Sequence, residues 1–233
     1  VSDAHQVTAG VTTRLIDPRS GAETLRLGLV QRYRFRDQRI TVDGNPATTR
    51  LSDLLLLAST SALLPNWTFD SIAQYDPDNR QLARAVLGAR YSPGPYRTLS
   101  MNYRLVRNSS EQVEFGWQWP VYGPTPTERR QAAGSCLGTF YSVGRVNYNA
   151  RDSRLTDSIF GVEYDAGCWI GRVFAERVST GRSEATTRLM LQLEFVGLSR
   201  LGSNPLQTLK DNVPGYRLLR EDRSSATVLP TYE

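Results

Sequence analysis

The chain has 233 residues, of which 39% are hydrophobic and 22% are charged, and its formal net charge is +5. This moderate charge excludes a chain kept disordered by self-repulsion, and because no block of like charges stands out, no nucleic-acid partner is expected. The longest apolar run, Leu54–Ala58, is far shorter than the ~18 residues of a transmembrane helix. The single histidine and the two cysteines predict neither a zinc site nor another metal or cofactor.

Alternation of apolar and polar residues with a period of two runs along most of the chain. Because successive side chains of a β-strand point to opposite faces, this alternation predicts strands that are apolar on one face and polar on the other. The predicted strands are, in chain order, residues 5–17, 23–35, 50–62, 67–76, 80–91, 96–106, 111–119, 138–149, 154–166, 168–178 and 184–196.

Turn-forming residues separate these strands. Examples are Asp17–Gly21, Asp76–Asn79 and Arg107–Ser110, whose Pro, Gly, Asn, Asp and Ser residues are typical of hairpin links. Two links are longer, 36–49 and 120–137. The alternation ends after residue 196, so the sequence predicts about eleven antiparallel strands in 1–196, followed by a tail over 197–233.

A soluble sandwich and a membrane β-barrel could both contain such a meander. Strand lengths near the ~9–11 residues that cross a bilayer at a tilt favour the barrel, and so do aromatic residues gathered near the strand ends. Charge at mid-strand on the polar face is typical of a wide, water-filled lumen. The charged residues expected to face the lumen are Arg104, Arg145, Arg172, Arg188 and Glu194.

The number of predicted strands indicates that the barrel is larger than this chain. Eleven is an odd number, whereas bacterial barrels have even numbers of strands. An open sheet in lipid would also leave the backbone groups of its edges unpaired. We therefore expect further strands from a preceding part of the same protein.

A series of short motifs is informative through its order and spacing. The motifs are Val11–Arg14, Gln31–Phe35, Asn102–Arg104, Gln118–Pro120, Gly144–Asn149, Arg151–Arg154, Gly161–Tyr164, Gly167–Trp169, Gly197–Ser199 and Asn212–Tyr216. Together they resemble the C-terminal end of the LPS-assembly proteins of Gram-negative outer membranes, the LptD family, over nearly the whole chain.

This resemblance implies an all-β fold, in which the chain is the C-terminal portion of a transmembrane outer-membrane β-barrel and 197–233 is a periplasmic tail. It implies that lipopolysaccharide arrives from periplasmic bridge proteins, passes a barrel plugged by a lipoprotein of the LptE type, and leaves sideways between the first and last strands. The remaining implied partners are an N-terminal periplasmic domain and the first barrel strands of the same protein. The last strand would be 184–196, whose lateral-gate residues are Thr187, Leu189, Leu191, Leu193 and Phe195.

The two cysteines, Cys136 and Cys168, lie near the same end of the predicted strands. They are two strands apart, about 10 Å at the usual strand spacing, whereas a disulfide needs Cα atoms within about 7 Å. An internal disulfide and separate partners both stay open. The resemblance implies that Cys168 bonds the periplasmic domain. The family has two adjacent cysteines at this position. Here the neighbours of Cys168 are Gly167 and Trp169, so only one cysteine of the pair is present.

Three other functions compete with this interpretation. A general porin or transport barrel would need no interdomain disulfide. A barrel enzyme such as a lipase would need His5, for which no local catalytic partner is evident, so no catalytic residue is assigned and no enzyme activity is expected. A soluble β-rich binding protein would be found in the aqueous fraction.

Overall fold

The computed structural model describes residues 3–41, 44, 46, 48–124, 138–179, 184–203 and 205–219. The described strands form one twelve-stranded sheet, in which each strand pairs with its neighbours in sequence. Every strand pair with a defined register is antiparallel, so the predicted all-β meander is confirmed. The strands are β1 (Gln6–Ile16), β2 (Glu23–Arg34), β3 (Leu54–Thr60), β4 (Trp67–Asp76), β5 (Gln81–Gly94), β6 (Arg97–Val106), β7 (Ser110–Tyr122), β8 (Thr139–Asn149), β9 (Arg154–Asp165), β10 (Trp169–Ser179), β11 (Ala185–Phe195) and β12 (Ser199–Gly202).

Most predicted strands differ from the observed ones by a few residues at their ends. β5 extends beyond its predicted end, because it continues through Pro93 to Gly94 and places the turn at Pro95 and Tyr96. Proline is compatible with extended backbone because its fixed φ lies in the allowed β/PPII range. The turn itself requires a left-handed residue, and Tyr96 takes φ 58° there.

The twelfth strand, β12, was not predicted. A tight turn follows β11, in which the Leu198 N–H donates to the Phe195 carbonyl at 3.0 Å and Gly197 has φ 80°. β12 then pairs with Gln192–Phe195 of β11. Its four residues are too few for a period of two to stand out in the sequence.

Alternation along the strands separates two faces. On β10, Arg172 and Phe174 are buried, while Val173 between them is 49% exposed. On β11, Leu189 and Leu191 are exposed, while Gln192 is buried. These strands therefore present large apolar side chains outward, as predicted, and the opposite face carries the buried polar side chains together with some apolar ones such as Phe174.

A single described helix, α1 (Pro205–Asn212), follows β12. Pro205 is its first residue, a position where proline is favoured because no intrahelical N–H is needed there. Among the described residues, no helix is both long and apolar enough to cross a membrane.

Residue contacts divide the chain into two compact units that interleave in sequence. The first unit comprises Val1–Pro93, Leu99–Phe115 and Val146–Asp157, and the second comprises Gly94–Thr98, Gly116–Arg145 and Ser158–Glu233. Of the described buried hydrophobic residues, all except Ala85 belong to the second unit. The hydrophobic core is therefore concentrated in the unit that contains α1.

Candidate functional site

A buried charge cluster of the described chain is centred on Arg172, on the polar face of β10. Its Nε donates to Glu163 Oε1 on β9 at 2.9 Å, and the side-chain exposures of the two residues are 1% and 0%. Its Nη1 donates to Glu194 Oε2 on β11 at 2.5 Å and to Gln192 Oε1 at 3.1 Å. One guanidinium thus ties together the side chains of three consecutive strands.

Strand register explains why Arg172 meets these partners. Arg172 lies opposite Gln192 and Ile170 lies opposite Glu194 in the β10–β11 ladder, so Arg172 and Glu194 are diagonal neighbours on one face. At the rim of the cluster, Arg200 of β12 donates its Nε to Glu194 Oε1 at 3.1 Å. A buried guanidinium shared by carboxylates offsets part of the cost of removing these charges from water.

The segment after β12 covers this polar face with an apolar stripe. Leu206, Leu209 and Val213 are buried and follow the spacing of one helical face. Leu209 and Val213 pack in one cluster with residues of β8, β9 and β10. Those partners are Val143, Ile159 and Phe174.

Two polar contacts anchor the same segment beyond α1. The Tyr216 hydroxyl donates to Glu163 Oε1 at 2.8 Å, so Glu163 accepts bonds from both Arg172 and the segment. Gln118 on β7 brackets the Arg217 backbone: its Nε2 donates to the Arg217 carbonyl at 2.8 Å, and its Oε1 accepts the Arg217 N–H at 2.9 Å. We call residues 199–219 the C-terminal strap, because they run from β11 back to β7.

Close packing under the strap depends on glycine. A Cβ on Gly161 of β9 would lie 1.9 Å from Cδ1 of Phe174, far inside the contact distance of two carbon atoms. Phe174 can therefore lie flat against β9 only because residue 161 has no side chain, and this position brings Phe174 beneath Leu209 and Val213.

The burial of Tyr216 affects the protonation of its hydroxyl. Burial first, and then the neighbouring Glu163 carboxylate, raise the pKa of Tyr216 above its ordinary value. The hydroxyl therefore stays protonated and remains a donor to Glu163 over the whole physiological range.

β11 has two different edges. It pairs with β10 along its whole length, from Ala185 to Phe195. On its other edge, β12 pairs only with Gln192–Phe195, and Ser203 bonds the backbone of Leu191. Among the described strands, none pairs with this second edge from Ala185 to Met190.

The predicted gate residues share one outward face of β11. All five are exposed, with Leu189 at 68% and Leu191 at 54%. By alternation they lie on the face opposite Gln192 and Glu194, and whether they form a gate stays a prediction. These residues are Thr187, Leu189, Leu191, Leu193 and Phe195.

The five charged residues predicted to face a lumen behave differently from one another. Arg172 and Glu194 meet in the buried cluster. Arg145 is half-buried and Arg104 is exposed. Arg188 is exposed and lies opposite Glu176 in the β10–β11 ladder.

Only one of the two cysteines lies within the described residues. Cys168 is exposed in the turn between β9 and β10 and has no disulfide partner among the described residues. Its carbonyl accepts the N–H of Val196 at 3.0 Å, which places the turn beside the end of β11. Cys136 lies outside the described residues, so the predicted disulfides stay predictions. The described residues hold no group of three or more His, Cys, Asp and Glu side chains that could bind a metal.

Sequence reasoning did not single out Glu163, Gln118, Gln192 or Tyr216 as site residues. Glu163 and Tyr216 are 53 residues apart, and no local pattern links a carboxylate on a strand to a tyrosine beyond a helix. The only available signal was the alternation of β9, which places Glu163 on the polar face beside the neighbours of Arg172.

Comparison with known proteins identifies the family. The family model described as LPS transport system D, LptD, matches residues 1–133. Proteins named LPS-assembly protein LptD from Albidiferax ferrireducens and a Polaromonas species are each 48% identical over 100% of this chain, and one from an Acidovorax species is 47% identical over 100%.

These relatives are longer than the chain, which covers 30%, 29% and 29% of their lengths. The chain corresponds to their C-terminal part. The matched region includes the strands, the buried cluster and the strap. The chain therefore belongs to the LptD family, a transport and assembly family of the outer membrane of Gram-negative bacteria.

Proposed function

We propose that this chain forms the C-terminal wall of a β-barrel that inserts lipopolysaccharide into the outer leaflet of the outer membrane through a lateral opening at β11. One observation carries this proposal: β11 combines an outward apolar face with an edge that no described strand covers from Ala185 to Met190. An apolar face suits contact with lipid. An uncovered edge in lipid must be closed by another strand, and such a junction is a place where a barrel wall can part.

The partners follow from the proposed path. The substrate is lipopolysaccharide, delivered by periplasmic bridge proteins, and a plug lipoprotein of the LptE type occupies the barrel. The first barrel strands and the N-terminal periplasmic domain come from the part of the protein outside this chain. No enzyme activity is required, because the proposed action is guidance of an amphiphile.

Orientation is part of the proposal. If residues 197–233 are periplasmic, alternation places the Gly167–Cys168 turn on the same side, together with the Phe195 end of β11. The exposed thiol of Cys168 is then accessible to a cysteine of the periplasmic domain. The links 36–49, 107–110 and 150–153 would face the outside.

Luminal arginines are proposed to contact lipid A phosphates, since a guanidinium pairs well with phosphate. Arg104, Arg145 and Arg188 are the candidates, because they are exposed or half-buried. Arg172 is not a candidate, because it is buried and bonds Glu163, Gln192 and Glu194. Crosslinking of lipopolysaccharide should fall when the first three are changed to Gln, and unchanged crosslinking and export would refute this role.

The function is tested in cells depleted of the full-length protein and complemented with it. Delivery of lipopolysaccharide to the cell surface should be restored. A variant with Cys168→Ser should also change the mobility of the protein on an unreduced gel, but not on a reduced gel. A general porin, the alternative, would restore solute uptake without surface lipopolysaccharide and would show no change in the gel.

A further inference from the structure

The free part of the β11 edge can be read from its hydrogen bonds. In an antiparallel ladder, the backbone groups of alternate residues point to opposite neighbours. The Leu191 N–H and carbonyl both bond Ser203, so the odd-numbered residues of β11 direct their backbone groups away from β10. The residues of this set that lie beyond β12 and Ser203 are Ala185, Thr187 and Leu189.

A clasp at Leu191 ends the covered part of the edge. The Ser203 hydroxyl lies 2.9 Å from the Leu191 nitrogen, from which it accepts, and 3.0 Å from the Leu191 oxygen. The Ser203 N–H donates to the same oxygen at 3.0 Å. Gly202 makes this approach possible, because it has φ 101° and a Cβ there would lie 2.3 Å from the Leu191 oxygen.

The cover is anchored at its far end. The part of the C-terminal strap that follows the clasp, residues 205–219, is fixed by the packing of Leu209 and Val213 and by the bonds of Tyr216 and Arg217 to Glu163 and Gln118. β12 is therefore held in place by contacts to strands other than β11, and its four-residue ladder does not depend on its own hydrogen bonds alone.

We propose that β12 and Ser203 form a fixed edge cap, which restricts the strand-accepting part of β11 to Ala185–Met190. The occupant of that part is a strand of the same protein from outside this chain, which covers only 30% of the length of a relative. This inference rests on the proposed function and specifies the geometry of its lateral opening.

The cap has a physical consequence for opening. The junction with the incoming strand is held by the backbone groups of Ala185, Thr187 and Leu189, while those of Leu191 and Leu193 are bonded to the cap. Each unsatisfied backbone group in lipid is costly. A junction with fewer hydrogen bonds to break opens more readily. At the end of β11 near Phe195, no hydrogen bond to the incoming strand has to break.

Photocrosslinking in the full-length protein tests the cap. Leu189 and Leu193 are a matched pair, because both are on β11, on the same outward face and four positions apart. Each is replaced in turn by p-benzoylphenylalanine, and the joined tryptic peptides are identified by mass spectrometry. Leu193 lies opposite Leu201, so position 193 should capture the peptide 201–210, and position 189 should capture a peptide from outside this chain.

Two results would overturn the proposal. One is capture of an outside peptide, and none of peptide 201–210, at position 193. The other is capture of peptide 201–210 at position 189. In the Gly202→Val variant, which the Leu191 oxygen cannot accommodate, position 193 should lose peptide 201–210 and gain the outside peptide, whereas unchanged capture contradicts the cap.

Surface lipopolysaccharide, measured on cells complemented with the unsubstituted full-length protein, separates the two proposals. The expected crosslinks without delivery would refute the proposed function and leave the cap standing. Normal delivery with the wrong crosslinks would refute the cap alone. The crosslinks in the otherwise native sequence decide the result even where Gly202→Val fails to assemble.

Discussion

The hairpin β1–β2 and the strands β9–β11 arise from the same sequence pattern but reach different environments. Every residue of β1 is exposed, whereas alternate residues of β9 and β10 are buried. On β2, Arg26 is half-exposed and pairs with Glu23, three residues earlier. On β10, Arg172 is buried and pairs with carboxylates of two other strands.

The C-terminal strap accounts for this difference. Where residues 205–219 cover the polar face, arginine and carboxylate side chains lose water and must bond each other. Where the polar face of β2 stays open, an arginine needs only a local, solvent-screened partner. Alternation in a sequence therefore predicts which side chains share a face, but the burial of that face depends on a segment distant in sequence.

Removal of the central guanidinium should be the most damaging change. Arg172→Leu leaves Glu163 as a buried carboxylate without its counter-charge, and breaking a buried pair in this way costs about 3–5 kcal/mol. Thermal unfolding of the full-length protein in detergent should occur at a lower temperature. The matched control is Arg188→Leu, because Arg188 is an exposed arginine on the neighbouring strand. Equal shifts for the two variants would contradict a special role for the buried cluster.

Loss of apolar packing in the strap should come next. Leu209 is 1% exposed, and a buried Leu→Ala change costs about 2–5 kcal/mol. Leu209→Ala should release α1 and allow a lysine-specific protease to cleave at Lys210, the only lysine of this chain. Leu198→Ala serves as the control, because Leu198 is 88% exposed. Resistance of the Leu209→Ala protein at Lys210 would show that the strap is held without this contact.

A smaller loss is expected from the hydroxyl of Tyr216. Tyr216→Phe keeps the ring but removes the donor to Glu163, which costs about 1–3 kcal/mol when the partner stays buried. The unfolding temperature should fall by less than for Arg172→Leu. Tyr122→Phe provides the comparison, because Tyr122 is 76% exposed, and equal effects of the two changes would rule out a buried bond at Tyr216.

The strands could be predicted from the sequence and the strap could not. β9 and β10 were predicted within a residue or two, because side-chain alternation is a local property. α1 has eight residues, fewer than the ~12–15 that an isolated helix needs in water. Its helical state therefore depends on the docking of Leu209 and Val213, which alternation along the chain does not encode. The same limit explains why Arg172 was predicted on the polar face without its partner Tyr216.

The smallest effect is expected in the exposed hairpin β1–β2, the other of the two regions compared above. Asp17, in the turn after β1, accepts the Ser20 hydroxyl at 2.6 Å and the Arg19 N–H at 3.1 Å. These bonds, the Ser20 hydroxyl first, lower the pKa of Asp17 below its ordinary value of 3.8. Because the folded pKa is lowered, the charged carboxylate stabilises the turn above the ordinary value, and this contribution is lost as the pH falls through the folded pKa.

An NMR titration of the Asp17 carboxyl carbon should therefore show a midpoint below 3.8, and Ser20→Ala should raise that midpoint because it removes the first donor. A midpoint at or above the ordinary value would contradict the turn geometry. Neither protonation of Asp17 nor the Ser20→Ala substitution should lower the unfolding temperature as much as Arg172→Leu does, because solvent screens an exposed carboxylate. Burial thus decides how much an acidic residue affects stability. Asp17 lies in an exposed turn and has a small effect, whereas Glu163 is buried beneath the strap and has a large one.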